Sequence, residues 1–300
     1  MNRYLPYLAI IIAALLWSLD AFLRRSLYSL SPLLIITLEH GIGSLLFAPA
    51  LISNWGKLKK LKQTVWISLL WISILGGICG TYFYTKALSY VGYIDLSVVV
   101  LLQKFQPLFA VSLASIILKE KLSKRYLVLA FSAMIGGYLV TFGSDPISLG
   151  DDNTLIAALF SLLAAFCWGS STVLGKKALM FLPYSVVTAL RLIITTFVGM
   201  LIIIYSGWSI IFTHISYEQW GTLLLIVIST GTVALFIYYY GLKKLPASHT
   251  TLFELFWPLS AVIIDWIVMG NSLSIPQLSG AVILLASMTI LTQERSNERS

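Results

Sequence analysis

Within LLQKFQPLFA, residues 101 to 110, an amide, a cation, a second amide and a proline (Gln103, Lys104, Gln106, Pro107) interrupt an otherwise apolar run. Six more ionisable side chains fall inside comparable runs: Asp20, Glu39, His40, Arg191, Glu254 and Asp265. Such a group costs about 2.5–3.5 kcal/mol in a bilayer on insertion scales, so it normally faces a wet cavity or a partner. The mixed signs at Glu39, His40, Lys104, Arg191 and Glu254 suit recognition of a small zwitterion, and the two glutamates can also take up a proton. Lys104 has two readings: a substrate-binding or gating cation, or a static ion pair with Glu39 or Glu254. Asp20 and Asp265, close to span ends, either join the site or pair at the membrane edge with Arg24, Arg25 or Lys86. Trp17, Trp168 and Trp257 sit near the polar positions, where they either line a cavity and stack on a ligand or fill space between helices.

The elements that carry these residues are membrane spans. The 300-residue chain is 58% hydrophobic and 11% charged, with mean hydropathy +0.90, outside the range of a soluble domain. Apolar runs fall at 5–24, 33–53, 65–88, 94–118, 125–142, 154–174, 184–205, 219–241, 248–268 and 275–292. They are continuous rather than alternating, which predicts helices and not barrel strands. The net charge of +8 is placed, not spread: 15 of the 20 basic residues fall on one side, 12 of them in every second connection and Arg3, Arg295 and Arg299 at the ends. By the positive-inside rule both termini are cytoplasmic, in a multi-pass protein of the cytoplasmic membrane.

The sequence repeats itself. At a shift of 151, Trp17 falls on Trp168, Pro32 on Pro183, Thr37 on Thr188 and Pro107 on Pro258; at 154, Trp66 falls on Trp220, Gly77 on Gly231 and Leu88 on Leu242. The predicted architecture is all-α: ten transmembrane helices as two five-helix repeats, 1–143 and 154–293, with an outer linker at 144–153 and a tail at 294–300. Five is odd, so the second copy enters from the opposite side. The loops agree: KLKKLKQ and KEKLSKR are basic, whereas their counterparts SGWSIIFTHISYEQ and MGNSLSIP hold no Lys or Arg. Inverted repeats of this kind underlie alternating access in many secondary transporters. In this frame His40 is the equivalent of Arg191 and Gln103 of Glu254. A proline frees the carbonyl four residues before it, here that of Gln103 and of Glu254, so Pro107 and Pro258 become paired helix hinges beside polar side chains.

The LLWS first span, the segment QPLFAVSLASIILKEKLS and the duplicated plan resemble the EamA-type permeases of the drug/metabolite transporter superfamily, over nearly the whole chain. The resemblance implies ten helices around a central cavity, exporting amino acids or other small metabolites by an ion-coupled or facilitated route. The chain departs from the family pattern at Ser18, where Gly is expected, at Glu39-His40, where Leu-Arg is frequent, and at Asn271, opposite Glu120 of the first copy.

Other chemistry finds little support. Cys79 and Cys167 lie in apolar runs and frame no disulfide. The first run lacks a cleavage pattern and reads as a span. No P-loop, H-E-x-x-H or serine–histidine arrangement exists, so no cofactor, metal or enzymatic reaction is expected. The reading is a non-ATP transporter of small polar metabolites, with amino acid export first. The alternatives are purines, drugs or other metabolites, or an intramembrane enzyme or scaffold. Its partners are a small-molecule substrate and lipids, with protons as coupling ion and a homodimer as further options, and no nucleic acid.

Overall fold

A computed structural model describes residues 4–27, 29–90, 102–103, 105–143, 152–207, 214–269 and 274–297. Lys104, Asn271 and residues 144–151 of the outer linker lie outside the described residues, as does the side chain of Asp265.

The described chain is helical. Helices α1 (Leu5–Arg24), α2 (Pro32–Ile52), α5 (Lys124–Phe142), α6 (Asp152–Leu179), α7 (Tyr184–Tyr205) and α10 (Ile275–Asn297) are unbroken. The fourth run is represented by α4 (Gln106–Ile117). Among the described residues, seven segments are long and apolar enough to cross a membrane. This is an all-α membrane protein built from a duplicated five-helix unit, the architecture that lets a chain satisfy its backbone polar groups within hydrocarbon.

Three spans depart from regular α geometry, two of them where the sequence reads as uninterrupted. In α3 the pieces Gln63–Trp71 and Gly80–Tyr90 flank a π-helical turn, Ile72–Cys79. In α8 the pieces α8a (Tyr217–Ile228) and α8b (Thr232–Lys244) are separated by Ser229, Thr230 and Gly231. These two irregularities occupy equivalent places in the two copies, since Gly77 corresponds to Gly231. The ninth span divides into α9a (Ala247–Phe253) and α9b (Phe256–Met269). There the cause is local: Pro258 has no N–H for the Glu254 carbonyl, which accepts instead from Trp257 N–H at 3.0 Å, while Leu255 N–H turns to Leu252 O. On the fourth span Pro107 stands in the first turn of α4, where its missing N–H costs nothing.

Packing follows the duplication. α1 lies against α8b and α9b, and its counterpart α6 lies against the equivalent α3 and α4. The pairs α2 with α7 and α5 with α10 join equivalent helices across the pseudo-two-fold. Lipid gives helices no hydrophobic reason to associate, so close approach depends on small residues. Ala157, Ser161 and Ala165 are fully buried on α6. A Cβ on Gly169 would stand 2.7 Å from the backbone oxygen of Gln106. The α5–α10 crossing is as tight, with a Cβ on Gly136 reaching 2.8 Å from Gly280 O.

One further contact ties the halves together. The Glu120 carboxylate, in the loop before α5, accepts from Ala247 N at 2.8 Å and Ser248 N at 3.1 Å. It caps α9a, whose first amides have no intrahelical partner.

Candidate functional site

The hub of the polar interior is a single turn of α6. Ser170 accepts from Trp71 Nε1 at 2.9 Å, Ser171 faces α3, and Thr172 Oγ1 lies 2.8 Å from the Tyr238 hydroxyl. This turn reads WGSST in the sequence, and its hydroxyls point three ways because successive helical positions are about 100° apart.

Glu254, at the break between α9a and α9b, receives Tyr238 Oη at 2.7 Å and Thr172 Oγ1 at 3.4 Å on one oxygen. Gln106 Nε2 donates to the other at 2.6 Å, and Gln103 Nε2 donates in turn to Gln106 Oε1 at 3.0 Å. Among the described residues no cation lies within ion-pair distance of Glu254; its donors are neutral. Gln103 and Glu254, equivalent positions of the two copies, are thus linked through Gln106 in a chain of three side chains reaching across both halves.

Aromatic rings flank this chain in two places. Trp17 of α1 packs on Tyr238 of α8b with centroids 5.2 Å apart and planes at 51°. Trp168 of α6 packs on Tyr84 of α3 at 5.5 Å and 53°. Trp17 and Trp168 are equivalents at the 151 shift, and Tyr84 and Tyr238 at 154, so the two pairs are one motif repeated by the pseudo-two-fold. Trp257 is half-buried on α9b, three residues past Glu254.

Arg191 of α7 donates from Nη1 to the Tyr239 hydroxyl at 2.8 Å and sits 5.8 Å over the Tyr239 ring. His40 bonds through Nδ1 to the Ile36 carbonyl of its own helix at 2.9 Å, and α2 runs along α7, which carries Arg191.

Glu39 belongs to a different cluster. Its carboxylate accepts from Arg24 Nη2 at 2.8 Å. Arg24 also pairs through Nε with Asp20, whose other oxygen accepts from Thr230 Oγ1 at 2.6 Å. Gly231 lies directly on Glu39, with 2.3 Å left between its would-be Cβ and Oε1. The network joins α1, α2 and the α8 break. Asp20 is thus paired with Arg24.

The remaining histidines stand apart: His249 stacks on Tyr126 at 5.2 Å, and His214 is exposed in a loop. Among the described residues no group of three His, Cys, Asp or Glu is placed to hold a metal.

The structure therefore gathers Gln103, Glu254, Trp17, Trp168 and Arg191 around the α6 hub, and assigns Glu39 to an ion-pair network. Sequence reasoning passed over Tyr238, Tyr239, Thr172 and Ser171, and singled out Gln106 without naming its partner. The available signals were the tyrosine triplet at 238–240 and the run of hydroxyls after Trp168, both deep within apolar segments.

The profile of the EamA-like transporter family matches residues 5–142 and 155–293. The chain is 35% identical over 293 residues to the riboflavin transporter ImpX of Fusobacterium nucleatum subsp. nucleatum, covering 96% of this chain and 97% of that protein. It is 25% identical over 207 residues to a riboflavin transporter of Brucella anthropi, covering 67% and 69%. A solved crystal structure superposes with a TM-score of 0.78 at 17% identity, over 98% of this chain and 99% of that one, a likeness of fold.

Proposed function

The chain belongs to the EamA-like transporter family, and we propose that it is a secondary transporter that moves riboflavin across the cytoplasmic membrane by alternating access. The observation that carries this reading is the 35% identity, over nearly the full length of both chains, to a protein named a riboflavin transporter. The site chemistry supports it. A flavin offers a flat, polarisable three-ring face and a hydroxylated tail. The two Trp–Tyr pairs supply aromatic faces, and the Gln103–Gln106–Glu254 chain supplies donors and acceptors for hydroxyls.

The expectation of an amino acid cargo rested on the mixed signs of Glu39, His40, Lys104, Arg191 and Glu254 within the spans and on the family resemblance. Glu39 is engaged by Arg24 and Lys104 lies outside the described residues, so the charged groups that the described site keeps are Glu254 and Arg191, set beside the two Trp–Tyr pairs. Both termini are placed in the cytoplasm on the charge bias of the loops. In that orientation the Arg24–Asp20–Glu39–Thr230 network lies in the outer half, and Pro107 and Pro258 serve as the hinges of the fourth and ninth spans. The direction of transport follows the imposed gradients. No enzymatic step is assigned.

Titration of the purified protein into riboflavin tests the cargo directly. Stacking on Trp and Tyr quenches flavin fluorescence, and the expected result is saturable quenching that unlabelled amino acids do not reverse. Unquenched flavin together with a thermal shift from amino acids would replace riboflavin by an amino acid.

A further inference from the structure

We infer that Arg191 and Ser171 form a binding subsite for a planar, acceptor-rich edge, completed by the cargo rather than by the protein. The internal two-fold exposes it. At the shift of 151 Asp20 corresponds to Ser171 and Glu39 to Leu190; at 154 Thr230 corresponds to Gly76. In the first cluster two acids neutralise one arginine, and Thr230 donates to Asp20. In the equivalent place of the other half both acids are absent, yet an arginine is still present, supplied by Arg191 of α7.

That arginine is underused. Its Nη1 reaches Tyr239, but its buried Nε, and the buried Oγ of Ser171, have no hydrogen-bond partner among the described residues. Among the described residues no carboxylate forms a salt bridge with its guanidinium. Both groups converge on Gly76, where a Cβ would stand 2.4 Å from Ser171 Oγ and 3.4 Å from Arg191 Nη2. Ser171 is 4% exposed. A guanidinium inside a membrane span without a counter-charge is costly, and the cost is offset when a ligand presents adjacent acceptors to its fork. Ser171 completes the set as a third donor.

The chemistry that fits is a ring edge with neighbouring carbonyl oxygen and imine nitrogen, capable of bearing negative charge. The pyrimidinedione edge of a flavin has this pattern, and charge placed there tunes flavin electronics. The assignment rests on the riboflavin reading above and deepens it: the Trp–Tyr pairs hold the ring face, and Arg191 with Ser171 reads its dione edge.

The test compares the full-length wild type with Arg191→Gln, Arg191→Lys and Ser171→Asp, each assayed by riboflavin quenching and by melting temperature. Ser171→Asp installs the acid that the two-fold counterpart carries. It is expected to pair with Arg191, to hold or raise the melting temperature, and to weaken riboflavin binding about tenfold or more. Arg191→Gln is expected to weaken binding as strongly, and Arg191→Lys, which keeps the charge but not the fork, by less. Should Arg191→Gln not fold, Ser171→Asp decides, because it adds a partner instead of removing one. Unchanged riboflavin affinity in folded Ser171→Asp and Arg191→Gln overturns the subsite and leaves the riboflavin reading intact. If the wild type itself does not bind riboflavin, that reading falls, and xanthine, a smaller ring with a dione edge, becomes the probe. An Arg191-dependent thermal shift with xanthine then upholds the subsite, and no shift with either ligand removes it.

Discussion

Glu254 is the residue on which the site turns. Its two oxygens are held by Tyr238, Thr172 and Gln106, all neutral donors, so protonation changes the charge of the site without breaking an ion pair among the described residues. We propose that Glu254 carries a coupled proton, a use that intramembrane carboxyls serve in transporters. Replacing Glu254 by Gln keeps a side chain able to bond Gln106 but removes the titration. The expected outcome is retained exchange of riboflavin across proteoliposomes with no accumulation driven by a pH gradient; accumulation at the wild-type level would remove Glu254 from coupling. At this scale the sequence was informative for charges and amides, because they are expensive in a span and stand out. It was silent on Tyr238, Thr172 and Ser171. A hydroxyl inside a helix satisfies itself on its own backbone, as Thr37 does on Leu33, Ser73 on Leu69 and Thr188 on Tyr184. Hydroxyls are therefore cheap and frequent, and only tertiary packing separates those that face the hub from those that do not. The same limit explains Glu39: its chemistry was visible, but its partner 15 positions away on α1 was not.

Among the elements, the interruptions matter more than the helices. The break before Pro258 was legible, since a proline inside an apolar run states which carbonyl it leaves free. The breaks in α3 and α8 were not, because ILGGIC and ISTGT hold no proline and their hydropathy is continuous. Their equivalence under the repeat says that each copy carries a weakened third span, against which the other copy's first helix packs. The Glu120 contact belongs here too. A carboxylate bonded to two amides of α9a fixes where the broken ninth span begins. Glu120→Gln retains one acceptor oxygen and loses the charge that favours a helix start. It is expected to lower stability by about 1 kcal/mol, read as a lower melting temperature, with riboflavin affinity preserved. An unchanged melting temperature would show that the cap contributes nothing. Asn271, its counterpart in the other copy, cannot supply that charge.

At the scale of the whole molecule, the duplication is what the sequence carried most plainly, because matched prolines, tryptophans and loop charges survive where most of the apolar positions have drifted. The structure adds which faces meet: first spans against the opposite copy's third spans, and two Trp–Tyr pairs as copies of one another. It adds an asymmetry as well, an arginine neutralised by two acids in one half and one with no salt-bridged carboxylate among the described residues in the other, which gives a transporter with inverted repeats a reason to depend on its cargo. The central claim is that this fold carries riboflavin across a bilayer, and flux of labelled riboflavin into proteoliposomes tests it most directly. The account predicts saturable entry above that of protein-free liposomes, reduced by unlabelled riboflavin and by Trp17→Ala. Entry equal to that of protein-free liposomes, from protein that is folded and reconstituted, would contradict it.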